Sequence, residues 1–284
     1  MLRMGLVVAL TSVATVRAEP VTSPRQVDPK PAAKPAKPAP KPTAKPAVKS
    51  AAKRPAAKKP VAAAARRADS RFEAPTDATT QPAYRYGTMS ADDCEAALRH
   101  RKIPFVREPA QRGVFAPVRL TGPLRGVTFR TEDTDAKRAT SPYEIGDCRL
   151  VLALDDFAEI LANNDVVEVR HYSMYRPPEK SWPADKLASR HAGALALDAG
   201  RFILKDKTVL DVDKDFNGAI GAKTCGPDAA PWPATDKAKQ LRSILCEAVG
   251  RHLFNVVLTP NYNPPHKNHF HLEVTAGVKW FLVH

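Results

Sequence analysis

Residues 268–274 read "NHFHLEV" and place two histidines and a glutamate on alternate positions. On a strand, His269, His271 and Glu273 share one face, and Phe270, Leu272 and Val274 share the other. The apolar series marks a face turned to a core. The opposite face, where a half-buried strand ordinarily carries Thr, Ser or Lys, carries imidazoles roughly 6.5–7 Å apart along the chain. His266 lies three residues upstream, so three of the chain's eight histidines fall within six residues. Solvated or core-satisfied histidines would explain each one singly. The spacing instead predicts a cleft in which one imidazole holds a metal and its neighbour stands beside the metal-bound water.

Working outward, "NVVLTP" (255–260) and "HFHLEV" (269–274) form two strands separated by the turn "NYNPPHKN" (261–268). Before them, "TDKAKQLRSILCEAVGRHLF" (235–254) is amphipathic, with Leu241, Ile244, Leu245, Val249 and Leu253 on one stripe and Thr235 placed to cap it. "ALALDAGRFIL" (194–204) alternates as a one-sided strand, and "DVVEVRHYSMYR" (165–176) is β-branched and aromatic up to Pro177-Pro178. "RLVLALDDFAEILANN" (149–164) reads as a helix. Ser90 with Asp93 makes a capping-box-like start to a shorter one, and residues 104–148 are broken by Pro and Gly into short strands and loops. These elements predict an α+β fold, an antiparallel sheet with flanking helices.

The amino-terminal quarter is different. Residues 1–18 have a basic start, a short apolar run and small residues at the cleavage positions, the pattern of a signal peptide. Residues 19–69 are rich in Pro, Ala and Lys and have too little to bury to offset their ordering entropy. They are expected to form a disordered linker, extended over on the order of 100 Å or more. Residues 1–70 hold 15 Lys+Arg against 3 Asp+Glu, while 71–284 hold 29 against 27. The basic surplus therefore lies outside the folded domain, expected at 70–284, which argues against nucleic acid as partner. An exported polycation would meet peptidoglycan, another anionic wall polymer or lipid head groups. A solubilising spacer explains the lysines equally well. No apolar stretch after the signal is long enough to span a membrane. The expected location is exported: periplasmic, cell-envelope or extracellular. Four cysteines in such a chain imply two disulfides, and of three pairings Cys94–Cys148 with Cys225–Cys246 keeps each bridge within one half of the domain.

The second half of the chemistry lies in "SRHAGALALDAG" (189–200). His191 and Asp198 stand seven apart with Gly193 between them, and Gly193 permits a close approach. A His, a carboxylate and a distant His make an N2O set for Zn2+ with a fourth position left for water. Such a site activates water and polarises a carbonyl, which points to amide hydrolysis. The series Ser189, His191, Gly193, Ala196, Asp198 resembles the first metal motif of the zinc peptidase superfamily. That superfamily contains D-Ala-D-Ala carboxypeptidases, lysostaphin-type endopeptidases and the penicillin-insensitive murein endopeptidase. The series His266, His269, His271 resembles the second motif, in its murein endopeptidase version. Over about 165–274, "YSMYR", "SRHAGALALD", "LFNVVLTPNYN" and "HKNHFHLEV" are more closely similar to the bacterial extensin-like C-terminal domain.

The resemblance implies a zinc-peptidase-like core with His191, Asp198 and His271 as metal ligands. It implies His269 as general base or transition-state stabiliser, His266 on the substrate side, and Arg176 aimed at a substrate carbonyl or carboxylate, where a fixed cation would stabilise developing charge. Two departures stand out: Met174 occupies the place where the extensin-like pattern usually has Cys, and the Glu-x-x-His motif of the carboxypeptidase branch is missing. The expected function is zinc-dependent hydrolysis of peptide bonds in peptidoglycan stem peptides or cross-links. The alternative is a zinc-containing cell-wall-binding or signalling domain without turnover. "DKDFNGAIGAKT" (213–224) opens like a calcium loop but ends on Thr224 instead of the bidentate Glu, and reads as a polar turn.

Overall fold

The computed structural model describes residues 72–187 and 190–284. The expected signal peptide, the linker and Ser189 lie outside the described residues. In chain order the strands are β1 (Phe72–Glu73), β2 (Phe105–Arg107), β3 (Pro117–Leu120), β4 (Thr128–Arg130), β5 (Ile145–Asp147), β6 (Val166–His171), β7 (Ala196–Leu204), β8 (Val209–Asp211), β9 (Val256–Leu258), β10 (Phe270–Glu273) and β11 (Phe281–Val283). The helices are α1 (Pro82–Gly87), α2 (Ala91–His100), α3 (Asp135–Arg138), α4 (Cys148–Asn163), α5 (Val212–Asp215) and α6 (Asp236–Gly250). The fold is α+β.

The larger sheet runs β1-β11-β9-β10-β7-β6-β4, with β8 also paired to β7. It is mixed, which corrects the expectation of an antiparallel sheet. β4 pairs parallel with β6, and β9 parallel with β11. Parallel neighbours need a crossover instead of a hairpin. The chain between β4 and β6 supplies one by passing through β5 and α4. β2, β3 and β5 form a separate antiparallel sheet.

α4 is apolar nearly all round and is the central helix, with Leu150, Leu152, Leu154, Phe157, Ile160 and Leu161 fully buried. Asp147 caps it by accepting from the Arg149 backbone N–H, and pairs with the Arg149 guanidinium at 2.7 Å. α6 buries Leu241, Ile244 and Leu245 from its stripe, and Thr235 accepts from Ala238 N–H. Ser90 caps α2 through Asp93 N–H at 3.2 Å. The disulfides are Cys94–Cys148, fastening α2 to the start of α4, and Cys225–Cys246, fastening a loop to α6. The calcium-like segment 213–224 starts in the short helix α5, where Asp211 caps Asp213 N–H, and continues as turn and loop. No helix among the described residues is long and apolar enough to cross a membrane.

The β7–β10 ladder positions the site. His271 lies opposite Asp198, and Glu273 opposite Ala196. On the other face Leu272 meets Leu197 and Phe270 meets Ala199, all four fully buried in the core.

Candidate metal centre

Each side of the site has a local origin. Asp198 and His271 project from facing strands in the register just given. His191 comes from the turn Arg190–Gly193 that leads into β7. Two left-handed residues bracket this turn, Arg190 (φ 50°) at its start and Ala194 (φ 54°) just after it. Conformations of this kind cost of order 1–3 kcal/mol outside glycine and persist where the surroundings hold them. Here Ala194 is fully buried beside Ile145 and Tyr175, and its carbonyl accepts from Asp147 N–H at 2.9 Å. The strain therefore falls beside Gly193 and not on it.

The three side chains meet on one carboxylate oxygen. Asp198 Oδ1 lies 3.0 Å from His191 Nε2 and 3.0 Å from His271 Nδ1. One ligand atom from each of the three residues lies within 4.8 Å of the others, and all three residues are buried. The ring nitrogens on the far side decide what can sit between them. His191 Nδ1 is 2.9 Å from the Met174 carbonyl, and a carbonyl can only accept, so Nδ1 carries the proton. His271 Nε2 is 3.1 Å from Glu273 Oε2, and the same reasoning puts its proton there. Both tautomers are thereby set with the remaining nitrogen aimed at Asp198. Two lone pairs and a carboxylate that converge in this way need a cation among them, either a proton on an imidazole or a metal ion. Backing of a histidine by a carbonyl or a carboxylate is the arrangement that orients metal ligands.

Electrostatics follow from the same contacts. Burial opposes charge on Asp198, but where added protons on His191 and His271 supply that cation, their hydrogen bonds outweigh burial and hold the carboxyl below the usual range. Burial likewise opposes charge on His271, and the bonds to Asp198 and Glu273 overcome it and raise its pKa. Glu273 is lowered: burial opposes this, but the His271 hydrogen bond prevails. Its second oxygen accepts from the Thr275 hydroxyl at 3.0 Å.

His269 stands just ahead of β10, with Nε2 3.4 Å from Asp198 Oδ1 and Nδ1 2.9 Å from Asn268 Oδ1. Burial lowers its pKa. His266 packs against it at 5.1 Å between ring centroids, and burial together with His269 and His271 pushes it down to about 4. Arg176 reaches Asp198 Oδ2 at 3.3 Å while remaining half-exposed. All six residues expected at the site are thus brought together: His191, Asp198, His271, His269, His266 and Arg176. Glu273 was legible as a member of the same strand face, but its pairing with His271 was not. Arg190 carried no signal in the sequence, yet it lines the cleft. That cleft, about 660 Å³, is lined by the cluster and also by Tyr262, Trp280 and Leu282.

The fold and site define a class, an α+β domain with a buried His/Asp/His cluster at the floor of a cleft. Within it, the chain belongs to the extensin-like family: the model of the extensin-like protein C-terminus matches residues 92–282. No curated protein and no solved structure matches the chain. The two disulfides are compatible with an exported protein.

Proposed function

We propose that this chain is a zinc-dependent hydrolase of peptide bonds in peptidoglycan stem peptides or cross-links, acting outside the cytoplasm with a zinc-peptidase-like core. The observation that carries the reading is the convergence of His191 Nε2, His271 Nδ1 and Asp198 Oδ1, with each imidazole proton committed elsewhere. These residues would hold the ion, and their N2O donor set fits Zn2+. Bound zinc lowers the pKa of a water and polarises a carbonyl. His269, with Nδ1 engaged by Asn268, presents Nε2 to the cleft as proton acceptor. Arg176, half-exposed beside Asp198, would turn toward a substrate oxygen and stabilise charge there. His266 lines the substrate side of His269.

A second reading, wall binding without turnover, is supported by the basic surplus of residues 1–70. One experiment separates the two. Purified protein is analysed for zinc, then incubated with muropeptides alone, with a chelator, and as His269→Ala. The expected result is about one zinc per chain and shorter peptides that vanish in both controls. Retention on sacculi without any cleavage would replace the hydrolase by the binder. Protein purified without zinc and unable to take it up would remove both.

A further inference from the structure

Next to the cleft over the metal cluster lies a second one, of about 730 Å³, lined by Arg176, Pro177, Pro178, Trp182, Lys186 and Arg190 among others. Arg176, Arg190 and His191 line both, so the two clefts meet beside the metal cluster. Their chemistries differ. The second cleft is lined by three cationic side chains, Arg176, Lys186 and Arg190, and by the carboxylate of Glu179; Arg176 also pairs with Asp198. The domain as a whole is nearly neutral, with 29 basic and 27 acidic residues over 71–284. The cations are therefore a local concentration and not a general background.

The backbone leading to Lys186 is fastened. The Arg112 guanidinium donates to the backbone carbonyls of Glu179 at 2.6 Å, Lys180 at 3.3 Å and Trp182 at 2.9 Å. Gly113 adopts φ +88°, and a Cβ there would come within 2.6 Å of both the Leu187 and the Ala192 carbonyl oxygens. The backbone before Lys186 is thus held by Arg112, and Gly113 packs so closely against the Leu187 and Ala192 carbonyls that no larger residue fits there.

We propose that this cleft is a subsite for a free carboxylate of the substrate, recognised by Lys186 and Arg190. The carboxylate end of the substrate then lies on the Lys186 and Arg190 side of the metal centre, and the rest of it on the side of Tyr262 and Trp280. The proposal rests on the hydrolase reading for its substrate, but its test does not require turnover.

Two probes that differ only at the end group, N-acetyl-D-Ala-D-Ala and its C-terminal amide, are titrated by NMR into the full chain, as purified and after chelation. The acid is expected to bind about tenfold more tightly than the amide, the scale of one net charge-assisted hydrogen bond. That preference should shrink in Arg190→Gln and in Lys186→Gln, and shrink again as salt is raised. Thermal melts show which variant is folded, and either variant alone suffices. Equal affinity of acid and amide, or a preference unchanged in a folded variant, overturns the subsite. If muropeptides are cut while the preference ignores Lys186 and Arg190, the subsite fails and the hydrolase stands. If the preference follows them and nothing is cut, the hydrolase fails and the subsite remains as a binding site.

Discussion

The two faces of the β7–β10 ladder bury similar amounts of side chain by opposite means. On one, Leu197, Ala199, Phe270 and Leu272 are fully buried, and Phe270 packs edge-on to Phe216 at 5.3 Å. That face needs only shape and apolar surface. On the other, Asp198, His271 and Glu273 are almost as inaccessible, at 3%, 5% and 4% exposure. Each ionisable group there is matched by a partner within 3.1 Å. His171, on the neighbouring strand β6, shows what happens without a match. It is buried and neither ring nitrogen has a hydrogen-bond partner. Burial, outweighing the attraction of Glu144, drives its pKa down to about 4, whereas the partnered His271 is raised. Burial alone thus keeps an imidazole neutral, and only the arranged carboxylates make this face a place for a cation.

Breaking the apolar face should have the largest effect. Phe270→Ala is expected to cost about 3–5 kcal/mol of stability, read from the shift in denaturant midpoint. A loss under about 1 kcal/mol would mean that the core closes over the gap. The unmatched histidine comes next. An unfolded histidine takes its proton near the ordinary 6.5, and the folded one only near 4. The contribution of His171 to stability is therefore complete above pH 6.5 and is lost as pH falls toward 4, by on the order of 3 kcal/mol. Urea titrations of metal-free protein across that window should show a shallower slope in His171→Leu than in the natural chain, and parallel slopes would contradict it.

On the polar face, zinc at about 100 times its Kd should stabilise the protein by about 2.7 kcal/mol. Asp198→Asn should abolish that gain, seen as a melting temperature that no longer responds to added zinc. The smallest effect is sought at Glu273→Gln, which retains an acceptor for His271 Nε2 but removes the charge. Its zinc affinity, measured by competition with a chelator, should fall by about 10- to 100-fold, the range for groups that orient a metal ligand. Unchanged affinity would make the Glu273–His271 contact a packing detail.

Much of this organisation is legible locally. The Ser90 cap, the α6 stripe and the long apolar run of α4 depend on neighbours within a few turns, and the structure places helices there. The alternation of 268–274 separates core residues from site residues before any contact is known. The cysteine pairing also follows the expected halves. Other features depend on which strand lies beside which. The mixed sheet is one, because a strand carries no mark of its neighbour's direction. The backing of His191 by the Met174 carbonyl is another, since backbone acceptors have no residue-type signature. The unpartnered His171 and the cleft lined by Arg190 are likewise products of packing.

The residue types themselves determined an α+β domain that follows a basic Pro/Ala/Lys-rich segment, and the two motifs that hold the candidate ligands. Side-chain periodicity and residue chemistry are properties of short segments, and so survive reading in one dimension. Tertiary structure alone decided that His271 stands opposite Asp198, that Glu273 rather than solvent takes the far nitrogen of His271, and that two clefts meet at Arg176. His271 and Asp198 are 73 positions apart, and even the burial of the neighbouring His271–Glu273 contact comes into being only when strand register and core packing place the segments side by side.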